Sequence, residues 1–293
     1  MTTVNTSSEI NNIIARAIEQ NPENREVIKA FAPIVTRQRE LVDEISLKQP
    51  DYPLIDKNKL KAGVPVSSQI DLILPEDPLK EVALSMAAAV KEGMPNIGGS
   101  IDKISALIQE GKINPFDFFK APVEGEVNAI GSLSKKLQVS PSNASFLMSL
   151  VSRVVLEKRA REIMETMGMF DWEKGYCPVC GEFPSIALIE EEGGKRFLHC
   201  SSCGQDWRFT RISCPYCEKE TRKDMEYFYV ENKTQEAAFV CDQCKKYLVT
   251  LYRAGKLFAR DLDISAISLI HMDLLMQNKG YEPMTSCVWN VLS

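Results

Sequence analysis

Hydrophobic positions recur at helical spacing through the first half of the chain. Ile10, Ile13, Ile14, Ala17 and Ile18 share one face of a helix that Ser8 can cap and that Asn21-Pro22 ends. A second helix follows with Val27, Phe31, Ile34, Val35, Leu41, Val42 and Ile45 apolar, and Pro33 is expected to kink it. Residues 49–78 hold five prolines and little periodicity, which predicts a long, partly ordered connection crossing the surface. Helical spacing resumes over 79–92 and 101–110, the latter with Ser100 as cap and Gly111 as stop. After a turn-rich link at 115–125, another helix is expected near 127–137. Ser140-Pro141 has the form of an N-cap followed by proline at the first helical position, and it opens the longest helix, 141–167, closed by Gly168. The apolar stripe of this helix slips, from Leu147, Leu150, Val151 and Val154 to Ala160, Ile163, Met164 and Met167. These faces read as core. No strand alternation precedes Cys177, so this half is expected to be all helical.

Past Gly175 the period changes. Residues 185–189 and 196–199 are short, β-prone and flank Glu-Glu-Glu-Gly-Gly, which predicts a hairpin. Further strands are expected at 207–212, 227–230, 238–240 and 247–252. Asp261 can cap a last helix reaching about residue 279, with Ile264, Ile267, His271 and Leu274 on one face. The tail beyond Tyr281 reads as a loop.

Eight of the nine cysteines fall among these strands as four Cys-x-x-Cys pairs: Cys177/Cys180, Cys200/Cys203, Cys214/Cys217 and Cys241/Cys244. Two residues between cysteines make a tight turn that aims both thiolates at one point, and two facing turns make a four-sulfur cage for zinc or iron. Hairpin-length gaps of 19 and 23 residues lie within the first two and the last two pairs, and only 10 residues separate Cys203 from Cys214. The spacing predicts two tandem ribbons, each binding one metal ion, so two ions per chain. Glycine follows both turns of the first site, as Gly181 and Gly204, an arrangement found in rubredoxin. Glu218 and Lys245 stand there in the second. On that difference the first site is expected to hold iron more readily than the second. The choice between zinc and iron stays open, since thiolate cages take either. Cys287 stands alone and reads as a free thiol.

Composition narrows the function. Residues 1–8 lack a basic start followed by an apolar stretch, so a reducing cytoplasm is expected and the cysteines read as ligands rather than disulfides. The longest mostly apolar run, 82–90, is far short of the roughly 20 residues a membrane span needs. Net charge is −5, which implies no general affinity for nucleic acid or anionic membranes. Residues 171–255 carry 12 Lys/Arg against 14 Asp/Glu, a net of −2. Two loaded tetrathiolate sites would add to that deficit, and such a module repels phosphates. A zinc-ribbon nucleic-acid-binding protein is nonetheless the alternative reading, with Trp207, Phe209, Tyr227, Phe228 and Tyr229 as stacking candidates that fit ribbon core and rim better. Only two histidines occur. His199 precedes Cys200 and reads as exposed or set behind the ligands. His271 lies on an apolar helix face and reads as core. Neither suggests a catalytic triad, and a four-thiolate cage leaves no open position for substrate. No catalytic residues are assigned, and a non-enzyme is expected.

The order of Trp172, Gly175-Tyr-Cys-Pro-Val-Cys-Gly, Leu198-His-Cys-Ser-Ser-Cys, Trp207, Arg211 and Cys214-x-x-Cys217 resembles the FdhE family of formate dehydrogenase accessory proteins. The likeness continues through Cys241-x-x-Cys244, Leu248-x-x-Leu251-Tyr252, Asp261-Leu262, Asp273 and Gly280-Tyr281. Upstream it touches Phe31, Gln38 and the stretch Leu60-Lys-Ala-Gly-Val-Pro. The resemblance implies an α+β chain: an all-helical domain (1–170), two tandem rubredoxin-like or zinc-ribbon modules (171–210 and 211–256), and a C-terminal helix and tail (257–293). It also implies a cytoplasmic assembly chaperone whose partner is the catalytic subunit of a formate dehydrogenase, bound during maturation. Iron in the sites and a redox role would follow from the same likeness. No nucleic acid and no membrane insertion are expected, and self-association into a homo-oligomer is left open.

Overall fold

A computed structural model describes residues 7–49, 55–116, 135, 138, 140–168, 170–219, 225–252 and 261–290. Helices make up the N-terminal half: α1 (Ser7–Gln20), α2 (Arg25–Glu44), α3 (Lys57–Lys61), α4 (Leu79–Gly93), α5 (Gly98–Gln109) and α6 (Pro141–Met167). Helix α5 starts at Gly98, two residues before the cap expected at Ser100, and Gly111 follows it at φ +69°. The helix expected near 127–137 lies outside the described residues.

Helix α6 explains its own slipping stripe. It runs through the middle of the helical half and is buried on several faces, including the polar Ser152, Arg153, Glu157 and Arg159. A helix surrounded by neighbours needs no single apolar stripe. Helices α2 and α4 meet closely where Gly93 lies against Ala30: a Cβ there would stand 2.0 Å from the Ala30 carbonyl oxygen. Only glycine permits that approach.

The stretch after α2 is not a surface crossing. Ile55, Leu60, Val66, Leu72 and Ile73 are buried in it, and Asp56 caps α3 by accepting from the Asn58 N–H at 2.8 Å. The fully buried Arg159 holds it from α6, pairing with Asp77 at 2.8 Å and donating to the carbonyls of Leu72 and Lys48. Irregular apolar spacing without a helical or strand period hid this packing from the sequence.

The second half is one mixed sheet. Its strands are β1 (Ile186–Ile189), β2 (Arg196–His199), β3 (Asp206–Phe209), β4 (Met225–Val230), β5 (Lys233–Cys241), β6 (Lys246–Tyr252) and β7 (Glu282–Pro283). The order is β3-β2-β1-β6-β5-β4, with β7 beside β6. The two hairpins join through a parallel pairing of β1 with β6, from Ile186 opposite Val249 to Ile189 opposite Tyr252. Side chains alternate across it. Ala187, Leu198, Phe239 and Leu248 face the helical core, while Ile186, Leu188, Ala238, Val240 and Val249 pack under the last two helices, α7 (Leu262–Ser268) and α8 (Ile270–Asn278). Asp261 caps α7 as expected, but the chain breaks at Leu269 rather than continuing as one helix. The tail is more than a loop: β7 pairs with β6, and Trp289 meets Phe31 edge to face at 6.4 Å. The α+β class is therefore as expected, with helices at the N-terminus and both four-cysteine clusters carried by the sheet region.

Candidate metal centres

Each Cys-x-x-Cys pair folds into the same knuckle. The N–H of the residue after the second cysteine donates to the carbonyl of the first: Gly181 to Cys177 at 3.0 Å, Gly204 to Cys200 at 2.8 Å, Glu218 to Cys214 at 2.9 Å and Lys245 to Cys241 at 2.8 Å. That residue has positive φ in all four, +83°, +69°, +56° and +56° in the same order. The backbone geometry therefore does not distinguish the two sites. Glycine meets it without cost in the first, while Glu218 and Lys245 adopt a left-handed conformation that costs a side-chain-bearing residue about 1 kcal/mol.

Facing knuckles bring the pairs together in two sets, Cys177/Cys180/Cys200/Cys203 and Cys214/Cys217/Cys241/Cys244, with all four Sγ atoms of each within 4.8 Å of one another. Along four of the sulfur–sulfur edges, Cys177–Cys203 is 3.4 Å, Cys180–Cys200 3.3 Å, Cys214–Cys244 3.8 Å and Cys217–Cys241 3.9 Å. A tetrahedron with metal–sulfur bonds of about 2.3 Å has sulfur–sulfur edges of about 3.8 Å. The second set matches that length and the first is slightly tighter, so both can hold a thiophilic ion. All nine cysteines are free thiols. Burial pushes the Cys177 thiol well up, and its sulfur neighbours push Cys180 up, whereas Cys200 is drawn down against its burial by bonds from the other three. Burial likewise raises Cys244, to about 11. Four thiolates so close together need a cation among them to ionise fully.

The two sets differ in surroundings. The helical half grips the first knuckle: the N–H groups of Val66 and Ser67 donate to the carbonyls of Pro178 and Val179 at 3.0 and 2.8 Å, and Tyr176 donates to the Gly63 carbonyl at 2.7 Å. Only Cys180 of that set is half-buried, against Cys217 and Cys244 in the second. Gly175 lies directly on the third knuckle, where a Cβ would come within 1.8 Å of the Pro215 carbonyl oxygen.

His199 is neither exposed nor idle. It is buried, with Nδ1 2.7 Å from Asp206 Oδ1 and Nε2 3.0 Å from Asp263 Oδ1. Burial alone would lower its pKa, but the two carboxylates outweigh it and push it up to about 10. Asp263 is shared with Arg39 and Arg153, and both arginines also reach Glu157. This buried network binds α2, α6, α7 and strand β2 together. Its visible trace in the sequence is the i, i+4 series Arg153, Glu157, Arg161 on α6, which carries charge where core was expected. His271 is half-buried rather than core, between Asn24 at 2.8 Å and Glu236 at 2.9 Å. Cys287 stays apart from both sets, its thiol 3.3 Å from the Ser201 hydroxyl.

A cleft of about 140 Å³ opens where the halves meet. Phe31, Ile34 and Leu150 line its helical side, Trp289 comes from the tail, and Cys180, Ser201 and Ser202 form the side belonging to the first cluster.

Comparison with known proteins agrees with this architecture. Residues 176–211 match the family model for the FdhE central domain. The FdhE homologue of Yersinia pestis (strain Pestoides F) is 25% identical over 275 residues, 85% of each chain. That of Aquifex aeolicus is 36% identical over 115 residues, 38% of this chain and 40% of the relative. The crystal structure of the FdhE protein from Pseudomonas aeruginosa superposes with a TM-score of 0.64 at 19% identity, over 98% of this chain and 96% of that one. The region of the first cluster thus resembles the FdhE central domain, relatives named FdhE homologues align over most of the chain, and the fold is that of the FdhE crystal structure.

Proposed function

We propose that the chain is a formate dehydrogenase accessory protein that binds the catalytic subunit of that enzyme during its maturation in the cytoplasm and takes no part in the finished enzyme. In this reading Cys177, Cys180, Cys200 and Cys203 hold one ion and Cys214, Cys217, Cys241 and Cys244 a second, zinc or iron. Four thiolates close the coordination shell, so the ions support the fold and can carry an electron without binding substrate. The role is then one of binding, not catalysis.

The observation that carries the proposal is the cleft between the two halves. It offers apolar side chains from α2 and α6 opposite the Ser201-Ser202 turn of the first cluster, so a bound polypeptide would touch helices and metal knuckle together. A chain of net charge −5 is a poor partner for phosphates. Deleting the gene in the native host should leave the catalytic polypeptide present and formate oxidation lost. The parent gene should restore activity, and Ser202→Trp, which fills the cleft, should not. Fully active enzyme in the deletion strain would sink the proposal. Tight nucleic-acid binding at physiological salt, with no binding of the subunit, would favour the zinc-ribbon alternative.

A further inference from the structure

Arg196 opens strand β2 of the first hairpin, yet its side chain ends beside the second cluster. It is 1% exposed. Its Nη2 donates to the Ser213 carbonyl at 2.6 Å and to that of Thr210, so the guanidinium sits on the backbone that leads into Cys214. The Phe209 and Phe239 rings flank it, with centroids 5.1 and 5.6 Å away, and Phe239 lies two residues before Cys241. Nε and Nη1 are buried with no hydrogen-bond partner, as is the neighbouring Tyr227 hydroxyl. Among the described residues no carboxylate lies within ion-pair distance of it. The buried arginines Arg153 and Arg159 each have one. Burial lowers the pKa of Arg196, with Tyr227 and Cys214 acting in the opposite direction.

A buried cation without a counter-ion is costly, and arginine does not escape by losing its proton. Aromatic faces and carbonyl dipoles offset part of that cost. What remains is matched by the cluster next to it, because four thiolates around one divalent ion carry a net charge of −2. We infer that Arg196 is the counter-cation of the second four-cysteine site, a positioning residue whose buried charge is balanced when Cys214, Cys217, Cys241 and Cys244 hold a divalent ion. The inference rests on reading that cluster as a metal site. It also makes the second site depend on the first hairpin, because the balancing charge comes from β2.

The test uses the full-length protein, stripped and reloaded with zinc alone or with cobalt(II) alone, whose thiolate absorption counts occupied sites. The parent should take two ions. In Arg196→Met one of the two should bind roughly 10- to 100-fold more weakly, and it should be the one lost in Cys217→Ser. Arg196→Lys, which keeps the charge, should stay within a few-fold of the parent. Stability separates charge from packing. Metal-free Arg196→Met should melt no lower than the metal-free parent, while zinc should raise its midpoint less. Should Arg196→Met fail to fold, Arg196→Gln, which keeps donors for the two carbonyls, replaces it. Equal zinc affinity in parent and variant, or an equal loss of stability with and without zinc, overturns the inference. A parent that binds a single ion overturns instead the reading of the second cluster, and the inference with it.

Discussion

His199 Nε2 lies 3.0 Å from Asp263 Oδ1, so the residue preceding a cysteine of the first cluster is bonded directly to helix α7. The same carboxylate accepts from Arg39 at 2.6 Å and Arg153 at 2.5 Å. Asp263 thus serves three buried cationic groups drawn from α2, α6 and β2. Removing one member of such a network leaves the others charged and unmatched. Asp263→Asn is expected to cost about 3–5 kcal/mol in urea unfolding of the metal-loaded protein. A loss below about 1 kcal/mol would show that the network is solvated in solution.

Metal removal is expected to proceed in two phases. Cys217 and Cys244 are half-buried while three of the four first-set cysteines are buried, so a chelator should empty the second set first. Cys217→Ser should abolish the fast phase. Loss of the first ion should then loosen residues 63–67 along with the knuckle, because their N–H and carbonyl groups are bonded to residues 176–179. Helices α4 and α5 should keep their amide-exchange protection. A boundary at residue 175, with the whole helical half unchanged, would contradict this coupling.

Replacing the left-handed residues of the second site should stabilise it. Glu218→Gly and Lys245→Gly each relieve a φ of +56°. They give up exposed ion pairs, Lys174–Glu218 at 3.1 Å and Lys245–Asp242 at 2.7 Å, and for Lys245 a cation–π contact with Tyr281 at 5.4 Å. The expected gain is about 0.5–1 kcal/mol each, read as a higher urea midpoint of the zinc-loaded protein. A fall in midpoint would mean that the lost contacts outweigh the relieved backbone.

Asp273 supplies a pH dependence away from the clusters. Burial raises its pKa to about 6, and the Tyr247 hydroxyl donates to it at 2.7 Å. A carboxyl group whose folded pKa exceeds the unfolded one favours the fold while protonated. Its contribution is fully present below about pH 4 and is lost as pH rises through about 6. Asp273→Asn mimics the protonated state, so its urea midpoint should exceed that of the parent by a margin that grows from pH 5 to 7. A margin independent of pH would rule out this titration.

Local patterns were legible because they depend on neighbours in the chain. The span of α6 follows from Ser140-Pro141 and Gly168, and the cap of α7 from Asp261. The four knuckles follow from the Cys-x-x-Cys spacing, since a two-residue turn brings both thiols of a pair to one point, and the lengths of the gaps between pairs pointed to which knuckles face each other. Gly181 and Gly204 mark the first site in the sequence, while Glu218 and Lys245 adopt the same positive φ in the second without a glycine to announce it.

What only the tertiary structure decided are pairings between distant residues that carry no local period. The parallel join of β1 to β6 merges two hairpins into one sheet across sixty residues, and neither strand announces its partner. Residues 55–73 look like a linker because their apolar positions are irregular, yet a single buried Arg159 and the first knuckle give them a place to pack. Arg196 and His199 are ordinary polar residues in a four-residue strand until the fold closes over them. Burial then removes their water, and the partners they find 7 to 64 residues away determine what their charges do.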